Sequence, residues 1–426
     1  MVLAAAKYFW FLPQLPFDAD QEYLALKSDE ILNGKLTLLG APTSIGGMFI
    51  GPLYSYFVAA VMFIFKGNPL VINGLSAFWA TLTVIALFFV GKRIFGSHAG
   101  IFAAAIGLAA SRFLDIANIP PLVIPMALLA LLLLHFIKLS PNPRRNLIIG
   151  VLIGLSLNLH FSGIFFFPLL LTAGFYSLVG ILVLITPLIA FELKHNFFIV
   201  KNAILFLSAA QTEEPTSVYH RLTEFINSIS ELIRVPAGFT FEVLAKIITL
   251  IILIFSFKLV KNRTLFACLY LPLVFFLFYP GHLLPYYAAI SWGPFLLVLG
   301  AGLSKLWNFN PKLRSAIIIL LAIFATLQFK SWSHPSTAQG LDKKLAALQY
   351  IKLAAGDKPF YLSRTMYPTV DFGYTYLIKY MDIRSAPTPI DPTYTLVSPA
   401  DWHQIKSDII FGDIGIVLPK EKNNEQ

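Results

Sequence analysis

The sequence predicts a polytopic α-helical membrane protein of about eleven transmembrane helices with a small C-terminal α/β domain. Three observations carry this. The 426 residues are 57% hydrophobic and only 13% charged, where a soluble globular chain carries about 25% charged residues. Apolar runs long enough for a bilayer follow one another from residue 70 to residue 330. Beyond them, over 331–426, the composition turns polar.

A membrane helix needs about 20 mostly apolar residues. Runs of that kind lie at 70–91, 97–114, 119–138, 146–161, 163–176, 178–192, 239–258, 264–281, 287–304 and 313–330. The stretch 163–192 is nearly continuous, and a split at Tyr176-Ser177 is expected there. The apolar start, residues 1–13, supplies the eleventh helix, short enough to suggest that an N-terminal piece is missing. The run 47–66 is placed beside the membrane, interrupted by Gly51-Pro52. With that choice Lys92-Arg93, PNPRR (141–145), KLVKNR (258–263) and NPKLR (310–314) all fall on the cytoplasmic side, as short basic loops do. The division expected is a transmembrane domain at 1–330, with a first outer loop at 14–69, and an extracytoplasmic domain at 331–426. In the latter, patterning suggests helices at 337–354 and 371–380 and strands at 359–363, 394–397 and 414–418.

The net charge of +10 belongs to loops and anionic headgroups, not to nucleic acid. One cysteine, Cys268, sits in an apolar run, so neither a disulfide framework nor a thiolate metal site is available within the chain. No HExxH, EF-hand loop, Walker A or Gly-x-Ser-x-Gly element is present. Any chemistry must come from carboxylates and basic or hydroxyl donors on the outer face.

The first outer loop reads FDADQEYLAL (17–26). Asp18 and Gln21 have the spacing of a capping box, and a helix over 20–33 ending at Asn33-Gly34 fits it. Asp20 would sit in the first turn, where the helix dipole favours an anion. Arg112 and Asp115 lie three apart at a helix end, close enough to pair or to anchor at the headgroups. FELKHN places Glu192, Lys194 and His195 at another membrane edge, where ionisable groups are functional candidates. His282, Tyr286 and Tyr287 lie in GHLLPYY, readable either as an interfacial aromatic belt or as phosphate donors.

Taken together, these features resemble the GT-C membrane glycosyltransferases that use polyprenyl-phosphate-linked sugars, among them the protein O-mannosyltransferases and the aminoarabinose transferases of lipid A. The resemblance rests on DADQEYLALKSDEILNGKLTLLGAPTS, then GPLYSYF and KGNP, within 18–69, and more loosely on FLDIANIPP and PYYAAISWGP. Two positions depart from those relatives. Gly51-Pro52 stands where the lipid A enzymes carry Lys-Pro, and Asp20-Gln21 where the mannosyltransferases carry Asp-Glu.

The resemblance implies an inverting transferase of the plasma (inner) membrane, multi-pass, with its active site on the extracytoplasmic face. Its donor would be a polyprenyl-phosphate sugar and its acceptor a protein, lipid or glycan. Asp20 is the expected general base, with Asp18 second. Lys194, His195, Arg112, His282, Tyr286 and Tyr287 are expected on the donor phosphate, and Asp115 or Glu192 would orient the acceptor or a cation. No metal site is expected in the chain, and a divalent cation requirement stays open. The rival class is a multi-span transporter or flippase, against which stand the few charges at mid-span positions and the lack of an internal repeat.

Overall fold

The computed structural model describes residues 2–110, 120–209, 217–235, 239–279, 283–332, 340–366, 371–399 and 405–419. Each of the ten long apolar runs carries a helix. They are α4 (Leu70–Phe95), α5 (Ser97–Ala109), α6 (Ile124–Ile137), α7 (Pro143–Leu157), a 3-10 run (Phe161–Thr172), α8 (Phe175–Lys194), α11 (Phe239–Leu259), α12 (Arg263–Phe278), α13 (Ala289–Phe309) and α14 (Pro311–Trp332). Before them come α1 (Val2–Trp10), α2 (Ala19–Leu32) and α3 (Leu53–Ile64); α9 (Phe198–Ala209) and α10 (Val218–Ser230) fill the stretch between α8 and α11. Among the described residues five helices are long and apolar enough to cross a membrane by length and composition.

Two expectations need correction here. The break in 163–192 falls at Ala173-Gly174, not at Tyr176-Ser177, because Gly174 takes φ +66° and opens α8 one residue later. The segment before it is 3-10 rather than α. Pro168 lies inside this run, lacks an N–H, and would clash with the carbonyl four residues back in an α-helix.

The chain clusters into two compact units. The first comprises Met1–Tyr8, Leu36–Phe57 and Ser76–His334. Its centre is α13, packed against α5, α6, α11 and α12. Phe295, Leu296, Leu297 and Val298 of that helix are fully buried. Gly51 is held tightly in this unit: a Cβ there would lie 1.8 Å from Asn158 Oδ1. Asn158 in turn donates to Gly154 O at 2.9 Å and to Leu184 O at 3.1 Å, so it cannot easily move aside. Gly51→Ala is expected to cost about 1–3 kcal/mol as overpacking of a site without slack, read as a lower midpoint in thermal unfolding of the detergent-solubilised protein.

The second unit comprises Phe9–Lys35, Val58–Leu75 and Pro335–Gln426. Its C-terminal part holds α15 (Leu341–Ala355) and α16 (Tyr374–Tyr380). They accompany a four-stranded sheet of β1 (Tyr361–Met366), β2 (Thr393–Ser398), β3 (Ile409–Phe411) and β4 (Ile414–Val417), ordered β1-β2-β4-β3. β1 and β2 run parallel with Tyr361 opposite Thr393, α16 making the crossover; β4 is antiparallel to both β2 and β3. α15 packs on β3 and β4, and Leu348, Ile351, Leu396, Ile414 and Ile416 form the buried core. The N-terminal segment joins this unit through backbone pairing: Leu341 N–H donates to Leu15 O at 2.9 Å.

Candidate active site

The acidic patch of the first loop opens α2. Asp18 is its N-cap in a capping-box arrangement with Gln21, and the Asp18 backbone N–H donates to Gln21 Oε1 at 3.1 Å. Along α2 the acids then divide between two faces. Asp18, Glu22 and Asp29 recur at helical spacing (i, i+4, i+11), and each is engaged by the C-terminal segment of the same unit. Asp18 Oδ1 receives the Lys344 ammonium at 3.0 Å. Glu22 Oε1 accepts the Tyr376 N–H at 3.0 Å, and Asp29 pairs with Lys379.

Lys344 is the pivot of this arrangement. Its side chain is 0% exposed while that of Asp18 is 38% exposed. The ammonium has three donors, and all three are used: on Asp18, on Phe17 O at 3.0 Å and on Phe372 O at 2.8 Å. It also lies 5.1 Å from the Tyr374 ring centroid. Burial lowers the Lys344 pKa, against the pull of Asp18, which raises it. Gly373 completes the fit. It takes φ +92°, and a Cβ would come within 1.9 Å of Phe17 O. A glycine N-cap offers α16 no side chain, and Glu22 supplies the missing acceptor from α2.

Asp20 points away from that stripe. It is exposed, and among the described residues it makes no ion pair or side-chain hydrogen bond. Surrounding protein, and secondarily the Asp18 carboxylate beside it, hold its carboxyl above the ordinary aspartate value of 3.8. A carboxylate that is reachable, uncommitted and more basic than usual is what a general base requires.

The other expected residues fare differently. Both Glu192 oxygens accept backbone N–H groups of α9, from Ile199 at 2.9 Å and from Val200 at 3.1 Å, so this carboxylate caps a helix. His195 turns back on its own helix: Nδ1 lies 2.9 Å from Phe191 O, and its ring stacks on Phe191 at 4.1 Å. Lys194 is exposed. Arg112, Asp115 and His282 lie outside the described residues.

Tyr286 and Tyr287 stand in a 3-10 turn, Pro285–Ala288, of the first unit. They meet a residue that was not singled out, His160, whose ring centroid lies 5.4 Å from that of Tyr287 and 6.2 Å from that of Tyr286. His160 caps the 3-10 run: its Nδ1 accepts the Ser162 N–H at 3.2 Å. With Nδ1 unprotonated, the proton of a neutral ring sits on Nε2, which leaves a donor at that edge. Tyr287 hydroxyl and Ser44 Oγ are 2.8 Å apart. The turn thus gathers imidazole and hydroxyl donors suited to phosphate oxygens, and the signal in the sequence was a lone histidine after Asn158 at the end of an apolar run. Among the described residues no three His, Cys, Asp or Glu side chains cluster in a way that could hold a metal ion.

The sequence model of the dolichyl-phosphate-mannose-protein mannosyltransferase family matches residues 50–209. No curated protein matches the chain. Among solved structures, ArnT from Cupriavidus metallidurans bound to undecaprenyl phosphate is similar over 99% of this chain and 97% of its own, with TM-score 0.62 at 11% identity. The apo form of the same protein gives TM-score 0.60 at 12% identity, covering 98% and 96%. An oligosaccharyltransferase of Archaeoglobus fulgidus is similar over 94% of this chain and 67% of its own, with TM-score 0.51 at 14% identity. Sequence and structure comparisons converge, and the chain carries the fold of the GT-C membrane glycosyltransferases that its acidic first loop resembles.

Proposed function

We propose that the protein is an inverting glycosyltransferase that moves a sugar from a polyprenyl-phosphate donor to an extracytoplasmic acceptor. The observation that carries this reading is the division of acids on α2: Asp18 and Glu22 are held by Lys344 and Tyr376, while Asp20 is left exposed with a raised pKa. The likeness to a structure holding undecaprenyl phosphate supports the donor class.

In this scheme the acceptor hydroxyl oxygen attacks the anomeric carbon as Asp20 takes its proton. The bond from that carbon to the phosphate oxygen breaks, and polyprenyl phosphate leaves with the electron pair. Inversion follows from a single displacement. Tyr286, Tyr287 and His160 hold the phosphate by hydrogen bonds, with Lys194, His195, Arg112 and His282 as further donors. Asp115 orients the acceptor or a cation, whereas Glu192, engaged on α9, keeps a structural part. About eleven spans hold the lipid tail, and the C-terminal α/β segment, on the extracytoplasmic face of the inner membrane, receives the acceptor.

The test is purified protein with a panel of radiolabelled polyprenyl-phosphate sugars, following release of free lipid phosphate. One donor is expected to be consumed. The base must be deprotonated, so kcat/KM falls as pH drops through the raised Asp20 value, and the acid limb is expected above the 3.8 of an ordinary aspartate. No release from any donor by a folded sample would remove this reading and favour a transporter.

A further inference from the structure

α11 and α13 pack together within the first unit, but their C-terminal halves leave a cavity of about 520 Å³ between them. Ile252 and Phe255 line it from α11, and Leu299, Gly302 and Leu303 from α13. Its single charged lining residue is Lys305, which is exposed. Gly302 has no packing reason to be glycine. On the same helix a Cβ at Gly293 would meet Leu131 at 2.9 Å and one at Gly300 would meet Ala99 O at 2.6 Å, yet at Gly302 nothing lies within 4 Å. Glycine inside a helix costs about 1 kcal/mol relative to alanine, and here it keeps a groove open rather than a helix close.

The groove ends where the bundle is most basic. Trp307, two residues past Lys305, has the Arg314 guanidinium 5.5 Å from its ring and His98 at 5.7 Å. Lys92 and Arg93 precede His98, Lys258 lies in the last turn of α11, Lys261 follows it, and Arg263 and Lys312 lie in the first turns of α12 and α14. From residue 243 to residue 341 the sequence contains no Asp or Glu, and none occurs from 31 to 114. A tryptophan with a guanidinium against its ring, among lysines and arginines, marks headgroup depth, and an apolar groove opening there fits an acyl chain with an anion above it. A second copy of this chain is disfavoured, since a two-fold contact would set these same cations against each other.

We infer that the groove between α11 and α13 binds an anionic phospholipid of the bilayer, with an acyl chain against Ile252, Phe255 and Leu303 and the headgroup phosphate on Lys305. This inference rests on the chain being a membrane protein and not on the transfer reaction. Native mass spectrometry of the detergent-solubilised protein, titrated with phosphatidylglycerol or phosphatidylcholine, tests it. Wild type is expected to retain one phosphatidylglycerol at concentrations where phosphatidylcholine is lost. Gly302→Leu, which fills the groove, weakens that binding about tenfold, the worth of roughly two buried methylenes. Lys305→Gln, a surface change that leaves the fold alone, weakens it about fivefold. Gly302→Ala leaves binding within about twofold, the contact area lost being under one methylene. Equal retention of the two lipids, or undiminished phosphatidylglycerol binding by either Gly302→Leu or Lys305→Gln, would overturn the assignment. Displacement of phosphatidylglycerol by equimolar undecaprenyl phosphate would also overturn it, giving the groove to the lipid-linked substrate instead.

Discussion

Asp20→Asn is expected to lower donor consumption by ~10²–10⁴-fold, the usual worth of a positioned general base, with no loss of stability. The amide keeps the size of the carboxylate and cannot take the acceptor proton. The fold gains nothing net from the charge, because Asp20 is exposed and its charged form is disfavoured by the surrounding protein and then by Asp18. Asp18→Asn makes the comparison informative. It loses the ion pair to Lys344, at a cost of about 1 kcal/mol because the Asp18 side chain is more than a third exposed and solvent screens the pair. Activity should then fall only as far as α2 loosens. Equal activity of Asp20→Asn and wild type, in samples of matched thermal midpoint, would remove Asp20 from the chemistry.

The second large effect concerns Lys344. Lys344→Met is expected to destabilise the second unit by about 2–4 kcal/mol. The methionine fills the volume and avoids burying a charge, but the Phe17 and Phe372 carbonyls lose their donor and Asp18 its counterion. Limited proteolysis of the 335–426 segment against denaturant reads this directly. The pH dependence carries a sign of its own. With the folded-state value of Lys344 below the 10.5 of a free lysine, the unfolded chain binds the proton more readily between those two values. Wild-type stability therefore gains from Lys344 as pH rises through that window, and Lys344→Met should lack that gain. A variant with wild-type protease resistance would show that the three hydrogen bonds contribute nothing net.

How much of this could be read from the chain follows from how local each determinant is. The apolar runs became helices because bilayer length imposes a composition that needs no partner to be recognised. α2 and its Asp18 cap were legible for the same reason: the capping box spans four residues. The 3-10 run at Phe161–Thr172 was not, since Pro168 permits more than one local outcome. In the C-terminal segment β3 was missed, because a strand of three residues has no periodicity and exists by pairing with β4. Lys344 sits in LDKKLAALQY, where a lysine beside a lysine reads as a solvated helix face. Only an acid 326 residues earlier makes it the buried one. The same distance hid which of the acids on α2 would be left over, and Glu192 looked available until α9 supplied two backbone N–H groups to occupy it.

The pairing of Asp18 with Lys344 also sets an order of manufacture. Asp18 is synthesised 326 residues before Lys344, so Asp18, Glu22 and Asp29 of α2 emerge from the ribosome without their partners. Every apolar helix through α14 is synthesised before Lys344. A nascent or prematurely terminated chain can be fully inserted in the bilayer and still lack the clasp that holds α2. Residues 335–426 thus supply the partners of Asp18, Glu22 and Asp29, and a chain stopped near residue 334 would lack them.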